Sequence, residues 1–497
     1  MAMFQQVRSA GHVMMEREDP VARPALPGVD GGHRAAPHPA SFRDPSGFVF
    51  THDGVLYRQV NDRARSDYEQ FLASGLYDAL TAAGDLVKHE EADVSLSPDG
   101  RAFRVIRPDR IGFISYPYEW CFSQLKDAAR LTLRLQKTAI AHGMSLRDAT
   151  PYNVAFAGGR PILIDTLSFE ALKPEPWVAY AQFCQMFLAP LALMSRVDIR
   201  LQQILRSSID GVPLDLASRL LPATTRLRPG LLMHLHLHAA AQRRMTATGA
   251  GPARARRTPA SFGVRALSAL VESLDRTVAR LKWGGARTVW ADYYESTNYS
   301  EAAMAHKRAI VEAAVERLRP RTVWDLGAND GTFSRVASTR GISTVAFDLD
   351  PVAVDRNYRR AAVEGDRCML PLLLDLANPS GSSGWANEER DDLAGRGPAD
   401  VALALALVHH LAIGHNVPLA RIAAYFARLA RSLVVEFVPK PDSQVQRLLA
   451  SRVDIFDSYT QPEFERAFST VFSIDEAVPV RDTVRTIYVM RRRAAPA

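Results

Sequence analysis

Cysteine is scarce, with three in 497 residues, Cys121, Cys184 and Cys368. They stand far apart and without the paired spacing of metal ligands, which argues against a disulfide framework or a zinc site and makes a reducing cytoplasm the expected setting. No apolar run approaches the roughly 18 residues that a bilayer span needs. The first 13 residues are broken by Gln, Arg, Ser, Gly and His, so an export signal is not expected either. A large excess of one charge is also missing: 61 basic against 54 acidic residues leave a net +7, part of it in Arg254, Arg256 and Arg257. That is too mild to suggest a nucleic-acid partner. What is present is globular composition, 47% hydrophobic and 23% charged, over a length too great for one core, so two or three domains are expected.

Residues 322–350, TVWDLGANDGTFSRVASTRGISTVAFDLD, organise the rest. Residues 322–325 read as a buried strand ending in a carboxylate. Gly327 and Gly331 flank Ala328, Asn329 and Asp330 in a turn where glycine permits positive φ and close approach of a ligand to the main chain. Residues 332–340 read as a helix closed by Gly341, and residues 343–347 as a second strand running into Asp348 and Asp350. This order places a nucleotide-like ligand over the carboxyl edge of a parallel sheet. The turn lacks the three-glycine spacing that seats a pyrophosphate, and Asp325 and Asp330 would repel one. A cationic ligand without phosphate fits better.

The stretch resembles motif I of the class I methyltransferases that depend on S-adenosylmethionine (SAM). The resemblance implies a Rossmann-like, doubly wound α/β sheet with SAM as cofactor. It implies cofactor binding by Asp325, Gly327, Ala328, Asn329 and Gly331 in the turn, by Asp348 at the ribose hydroxyls, and by Asp375, at the end of the run LPLLLD, at the adenine amino group. SAM carries a sulfonium and an ammonium, so an acid-lined turn is electrostatically sensible.

Residues 401–411, VALALALVHHL, read as a fourth strand with His409 and His410 at its carboxyl end, where catalysis sits in such sheets. A histidine titrates near neutral pH and suits proton removal from an oxygen acceptor, so both are candidate bases. Residues 432–437 make a fifth strand with Glu436 at its end facing the site, residues 452–460 a loop that brings Asp457 or Tyr459 to the acceptor, and residues 483–490 a final strand. Residues 290–300 suggest a cover over the cofactor, with Tyr293, Tyr294, Tyr299 and Ser300 as its candidates. Cys368, the only cysteine in this half, precedes the third strand, which argues against cytosine-C5 chemistry. The Asn/Asp-Pro-Pro-aromatic signature of amino-methylating nucleic-acid enzymes is absent. A small molecule or glycan, methylated at oxygen or nitrogen, is the expected acceptor. The whole chain is also similar to bacterial host-specific nodulation methyltransferases, which implies a saccharide. Oligomeric state and acceptor identity are not legible.

The first half reads as α+β. Residues 48–60 form a hairpin turning at Asp53-Gly54, residues 68–86 a helix, 103–106 and 112–115 strands, and 125–142 a long amphipathic helix. Residues 145–170, SLRDATPYNVAFAGGRPILIDTLSFE, set Asp148 five positions before Asn153 and add Asp165 after a hairpin at Gly158-Gly159. This resembles the catalytic and metal loops of protein kinases and aminoglycoside phosphotransferases. If active, Asp148 would orient an acceptor hydroxyl while Asn153 and Asp165 held Mg²⁺ with ATP. No glycine-rich loop and no Val-Ala-x-Lys strand accompanies them, although Arg58 and Glu69 could stand in for the usual Lys–Glu pair. The alternative reading is a non-catalytic module that presents the acceptor. Residues 177–194 read as a buried helix bent or stopped at Pro190. His234, His236 and His238 alternate in a helical context. The expected organisation is a tail over 1–45, a kinase-like module over 46–242, a linker over 243–262 and the methyltransferase domain over 263–497.

Overall fold

The computed structural model describes residues 36–247, 263–284, 299–450 and 452–494. Gly47–His52 (β2) and Val55–Asn61 (β3) form the expected hairpin. Both turn residues take positive φ, 49° at Asp53 and 75° at Gly54, as a two-residue hairpin turn demands. Ala36–Pro37 (β1), within the expected tail over 1–45, pairs with β2. With His89–Ala92 (β4) and Ala102–Pro108 (β5) these make a five-stranded sheet in the order β1-β2-β3-β5-β4.

The helix expected over 68–86 is two, Arg65–Ala73 (α1) and Leu76–Ala83 (α2), because Gly75 adopts φ 72° and breaks the hydrogen-bond run. Residues 112–115 form no strand. Instead they carry Phe113 toward the second half. The long helix is Phe122–Ala141 (α3). Met144–Leu146 (β6) pairs with Phe169–Ala171 (β9), and Val154–Ala157 (β7) with Arg160–Leu163 (β8). The helix does not stop at Pro190: the chain stays helical from Tyr180 to Arg196, with a wider π-turn over Cys184–Leu188 directly before the segment that carries the proline. The histidines of 234–238 are spent on structure: His234 bonds Tyr180 and Ser273, and His236 bonds Ser218 and Thr225, all at 2.8–2.9 Å.

The second half is a Rossmann-like, doubly wound sheet of seven strands: Thr322–Leu326 (β10), Ser343–Asp348 (β11), Met369–Leu373 (β12), Ala399–Ala404 (β13), Ala430–Phe437 (β14), Phe472–Pro479 (β15) and Thr486–Arg492 (β16). Their order is β12-β11-β10-β13-β14-β16-β15. The first five are parallel, and β16 enters antiparallel between β14 and β15. β15 was not legible because most of its residues are partly or fully exposed, leaving no apolar alternation. β12 stops at Leu373, two residues short of Asp375, and β13 at Ala404, well short of the expected 411. One face of the sheet packs on helix Glu301–Leu318 through Val311, Val323, Val401 and Val434.

The other face shares a continuous apolar core with the first half, which joins Leu125 and Phe156 to Trp324, Phe347 and Leu433. Helix Val264–Arg280, inside the span expected for the methyltransferase domain, packs on α3 of the first half, with Arg130 paired to Asp275. The expected linker over 243–262 lies outside the described residues from 248 onward, while residues 243–247 continue helix His238–Ala247. Residues 378–397 lie against the first half. There Arg396 grips Glu119 through two bonds of 2.8 and 2.5 Å, with the side chains 5% and 1% exposed. Breaking one partner of such a pair strands a buried charge. Arg396→Met should therefore cost about 3 kcal/mol in urea unfolding, and Glu119→Met with Arg396→Met should recover much of it. Equal stability of the wild type and Arg396→Met would show that the pair does not hold the halves.

Candidate functional site

β10 ends in Asp325 and Leu326, and the chain then turns sharply through Gly327 (φ 86°), Asn329 (φ 51°) and Gly331 (φ 80°). A side chain at Gly331 would meet the Asn357 amide and the Arg335 guanidinium, so that position needs glycine for space as well as for φ. The amides of Gly327 and Ala328 both donate to the Phe347 carbonyl, at 2.9 and 2.8 Å, which anchors the turn to β11. The helix that follows is one turn, Arg335–Ser338, rather than residues 332–340.

Asp348, at the end of β11, accepts the Asn329 amide at 2.7 Å on one oxygen and the Asp350 amide at 2.8 Å on the other. A carboxylate has lone pairs left after two such bonds, so it can still accept from ligand hydroxyls. Burial pushes its pKa up to about 6, against the pull of those amides. Asp325 is 2% exposed and accepts the Ser334 hydroxyl at 2.6 Å, and burial lifts it to about 7. Both acids resist ionisation in the folded chain, so their contribution to stability falls as pH rises from about 4 toward 7. Positive charge beside them would offset that cost. Asp375 lies past β12, partly exposed, and caps its own loop by accepting the Ala377 amide.

The early end of β13 moves the histidines. Ala406 takes φ 50°, the chain leaves the sheet, and His409 and His410 begin a helical turn rather than closing the strand. Their rings lie 4.1 Å apart. His409 is 2% exposed, and its Nδ1 has no hydrogen-bond partner. Burial, with His410, Arg485 and Lys307 nearby, drives its pKa far down, and burial with His415 and Arg485 lowers His410 to about 4. Both rings are therefore neutral at pH 7.

Beside them lies a buried ionic network that sequence reading missed except for Glu436. Glu436 is wholly buried at the end of β14, pairs with Lys307 at 2.7 Å and accepts the Tyr299 hydroxyl. Arg485 donates to Asp442 at 2.7 and 3.0 Å and to Tyr299 at 2.6 Å. Burial alone would raise Glu436, but Lys307 and Arg485 hold it below the usual carboxylate range. Tyr299 and Ser300 are thus structural anchors at the start of helix Glu301–Leu318, where Ser300 caps the Ala303 amide; Tyr293 and Tyr294 lie outside the described residues. Tyr459 is buried, with its hydroxyl on the Val438 carbonyl, whereas Asp457 is exposed. A groove of about 570 Å³ lined by Arg308, Arg335, Arg360 and Arg367 includes neither Asp348 nor His409 among its walls.

In the first half, Asp148, Asn153 and Asp165 do come together. Asn153 Nδ2 donates to Asp148 at 3.1 Å and to Asp165 at 3.4 Å. The oxygens of Asp165 take Arg58 at 2.7 Å, the Leu167 amide at 3.0 Å and the Ser168 hydroxyl at 2.8 Å. Those of Asp148 take Gln182 at 2.7 Å and the Thr150 amide at 3.1 Å, and burial raises its pKa. Mg²⁺ needs several free oxygens in near-octahedral array. Here Asn153 presents donors, and a guanidinium already supplies the positive charge, so this donor set does not fit the metal. Glu69 is exposed, and Arg58 pairs with Asp165 in its place.

No family model matches the chain. The nodulation protein NoeA of Rhizobium meliloti (strain 1021) is 37% identical over 470 residues, covering 92% of this chain and 97% of that protein. The chain belongs to the NoeA family of nodulation proteins. Among solved structures, the bifunctional kinase-methyltransferase WbdD matches 41% of this NoeA-family chain and 43% of its own, at 13% identity and a TM-score of 0.30. Magnesium protoporphyrin IX methyltransferase (ChlM) from Synechocystis PCC 6803 matches 41% of this chain and 93% of its own, at 17% identity and a TM-score of 0.29. At such TM-scores these likenesses carry no argument.

The closed first-half constellation has a direct test. A ligand bound at a hundred times its Kd stabilises by about 2.7 kcal/mol. Millimolar Mg²⁺ with ATP should move the unfolding midpoint of this NoeA-family protein by less than about 1 °C, and a shift of several degrees would reopen phosphotransfer.

Proposed function

We propose that this protein is a SAM-dependent methyltransferase acting on oxygen or nitrogen of a small molecule or glycan. The observation that carries this reading is Asp348: a carboxylate at the carboxyl end of the second parallel strand, held by the amides of Asn329 and Asp350 over a glycine turn anchored to the same strand. That is where a doubly wound sheet binds ligands, and two hard-to-ionise acids favour a cation over a phosphate. Gly327, Ala328, Asn329 and Gly331 would line the cofactor, Asp348 would accept its ribose hydroxyls, and Asp375 would meet the adenine from the loop after β12. Asp325 would act through charge, since its carboxylate is turned to Ser334. The cofactor supplies an electrophilic methyl carbon when bound.

The chain's own work is then to hold the acceptor in line and take its proton. His409 and His410 are the proposed acceptors of that proton; they are neutral, with His409 Nδ1 unpartnered, although burial makes them weak bases. Cys368 stands just before β12, at the amino edge of the sheet, opposite the site, which supports an acceptor that needs no thiol nucleophile. We place the methyl-transfer unit after helix Val264–Arg280 and read the first half as non-catalytic.

Asp348→Ala should weaken SAM binding by about 1.5–3 kcal/mol in calorimetric titration, and an unchanged Kd would remove Asp348 from the site. Because Asp348 titrates at about 6 and Asp325 at about 7, each ionised above and neutral below, SAM affinity should level off only above about pH 8 and should fall by at least about tenfold per unit beneath pH 6. An affinity independent of pH from 5 to 8 would contradict a charged Asp348 in the bound state.

A further inference from the structure

We propose that the first half of the chain positions the cofactor site of the second, through Phe113 and through the grip of α3 on helix Pro351–Glu364. This rests on the reading that Asp348 and the glycine turn hold SAM, and adds that their placement is set from outside the sheet. Phe113, 9% exposed, meets Trp324 edge-on at 5.5 Å and Phe347 at 6.0 Å. Trp324 directly precedes Asp325, and Phe347 directly precedes Asp348. The Phe347 carbonyl is the acceptor that holds the Gly327 and Ala328 amides, so a shift of that residue carries the turn with it.

A second set of contacts reaches the same acid from its other side. Asp348 accepts the Asp350 amide, and Asp350 caps helix Pro351–Glu364 through the Val352 amide at 2.7 Å. That helix is tied to the first half at three points. Asp355 accepts the Ser123 amide at the start of α3 at 2.8 Å, Tyr358 donates to Asp127 at 2.9 Å, and Arg359 donates to the Ser123 hydroxyl at 3.1 Å. Close-packed interiors pass displacements on rather than absorbing them, so both oxygens of Asp348 are referenced to the first half. Phe113, Tyr358 and Asp127 are positioning residues: they act on the ligand through Phe347 and Asp350.

The experiment is calorimetric titration of full-length protein with SAM at 15 °C, with circular dichroism to establish that each variant is folded. Phe113→Ala should raise the Kd about tenfold, as a misplacement of the turn by a fraction of an ångström would. Phe113→Tyr, which keeps the ring, should stay within about twofold of the wild type. Should Phe113→Ala not fold, Tyr358→Phe decides. It keeps the packing, removes one tie between the halves, and should raise the Kd several-fold. A merely structural contact would lower the unfolding midpoint and leave the Kd alone, so folded Phe113→Ala or Tyr358→Phe protein with wild-type affinity overturns the proposal. Wild-type protein that fails to bind SAM would instead overturn the reading beneath it.

Discussion

The buried pair of Glu119 and Arg396 is the constraint on which the rest of this molecule leans. Two charges withdrawn from water are expensive unless they are matched, and here both terminal guanidinium nitrogens of Arg396 are bonded, with only its Nε left without a partner. Arg396 also donates to the Ile114 carbonyl and lies over the rings of Phe113 and Tyr116, while Glu119 accepts the Tyr116 amide. Geometry that demanding admits one relative placement of the segment before α3 and the loop before β13. With it fixed, Phe113 enters the sheet face, and one apolar core runs across the junction of the two halves.

Charge at the carboxyl edge is divided into two regions with opposite characters. Around Asp325 and Asp348 the chain leaves acids short of compensation, lifted toward neutrality by burial. Around Glu436 it does the reverse, matching Lys307, Arg485, Glu436 and Asp442 against one another until the network is neutral overall. On the proposed reading the first region takes its cation from solution; the second holds its own and fixes Tyr299 and the start of helix Glu301–Leu318. Burial, with Arg485 near both rings, keeps His409 and His410 deprotonated. The first half shows the same internal matching, where Arg58 neutralises Asp165 in a constellation that elsewhere would take a metal.

Periodic and local signals were the readable ones. The hairpin at Asp53-Gly54, the hairpin at Gly158-Gly159, α3 and the order of strand, glycine turn, strand and acid over 322–350 all stand where residue pattern puts them, because turn chemistry and apolar period act within a few residues. Element ends were less legible. β13 stops at Ala404 since Ala406 takes a left-handed conformation that its alanine-leucine run does not signal, and this relocates both histidines. The helix of 68–86 is split by one glycine inside an otherwise helical pattern. β15 escaped notice because its pairing with β16, not its own composition, makes it a strand.

From sequence alone came the doubly wound class of the second half, the acid-lined turn, and Asp348 as the residue at its edge. Each of these is written in a short window of chain. Tertiary structure alone decided that Lys307, Glu436 and Arg485 meet, that Arg58 takes Asp165 rather than Glu69, and that Phe113 lies against Trp324 and Phe347 while α3 holds helix Pro351–Glu364. Those partners stand far apart along the chain, up to 236 residues for Ser123 and Arg359, and no local pattern encodes which buried charges and rings will find one another once the core has closed.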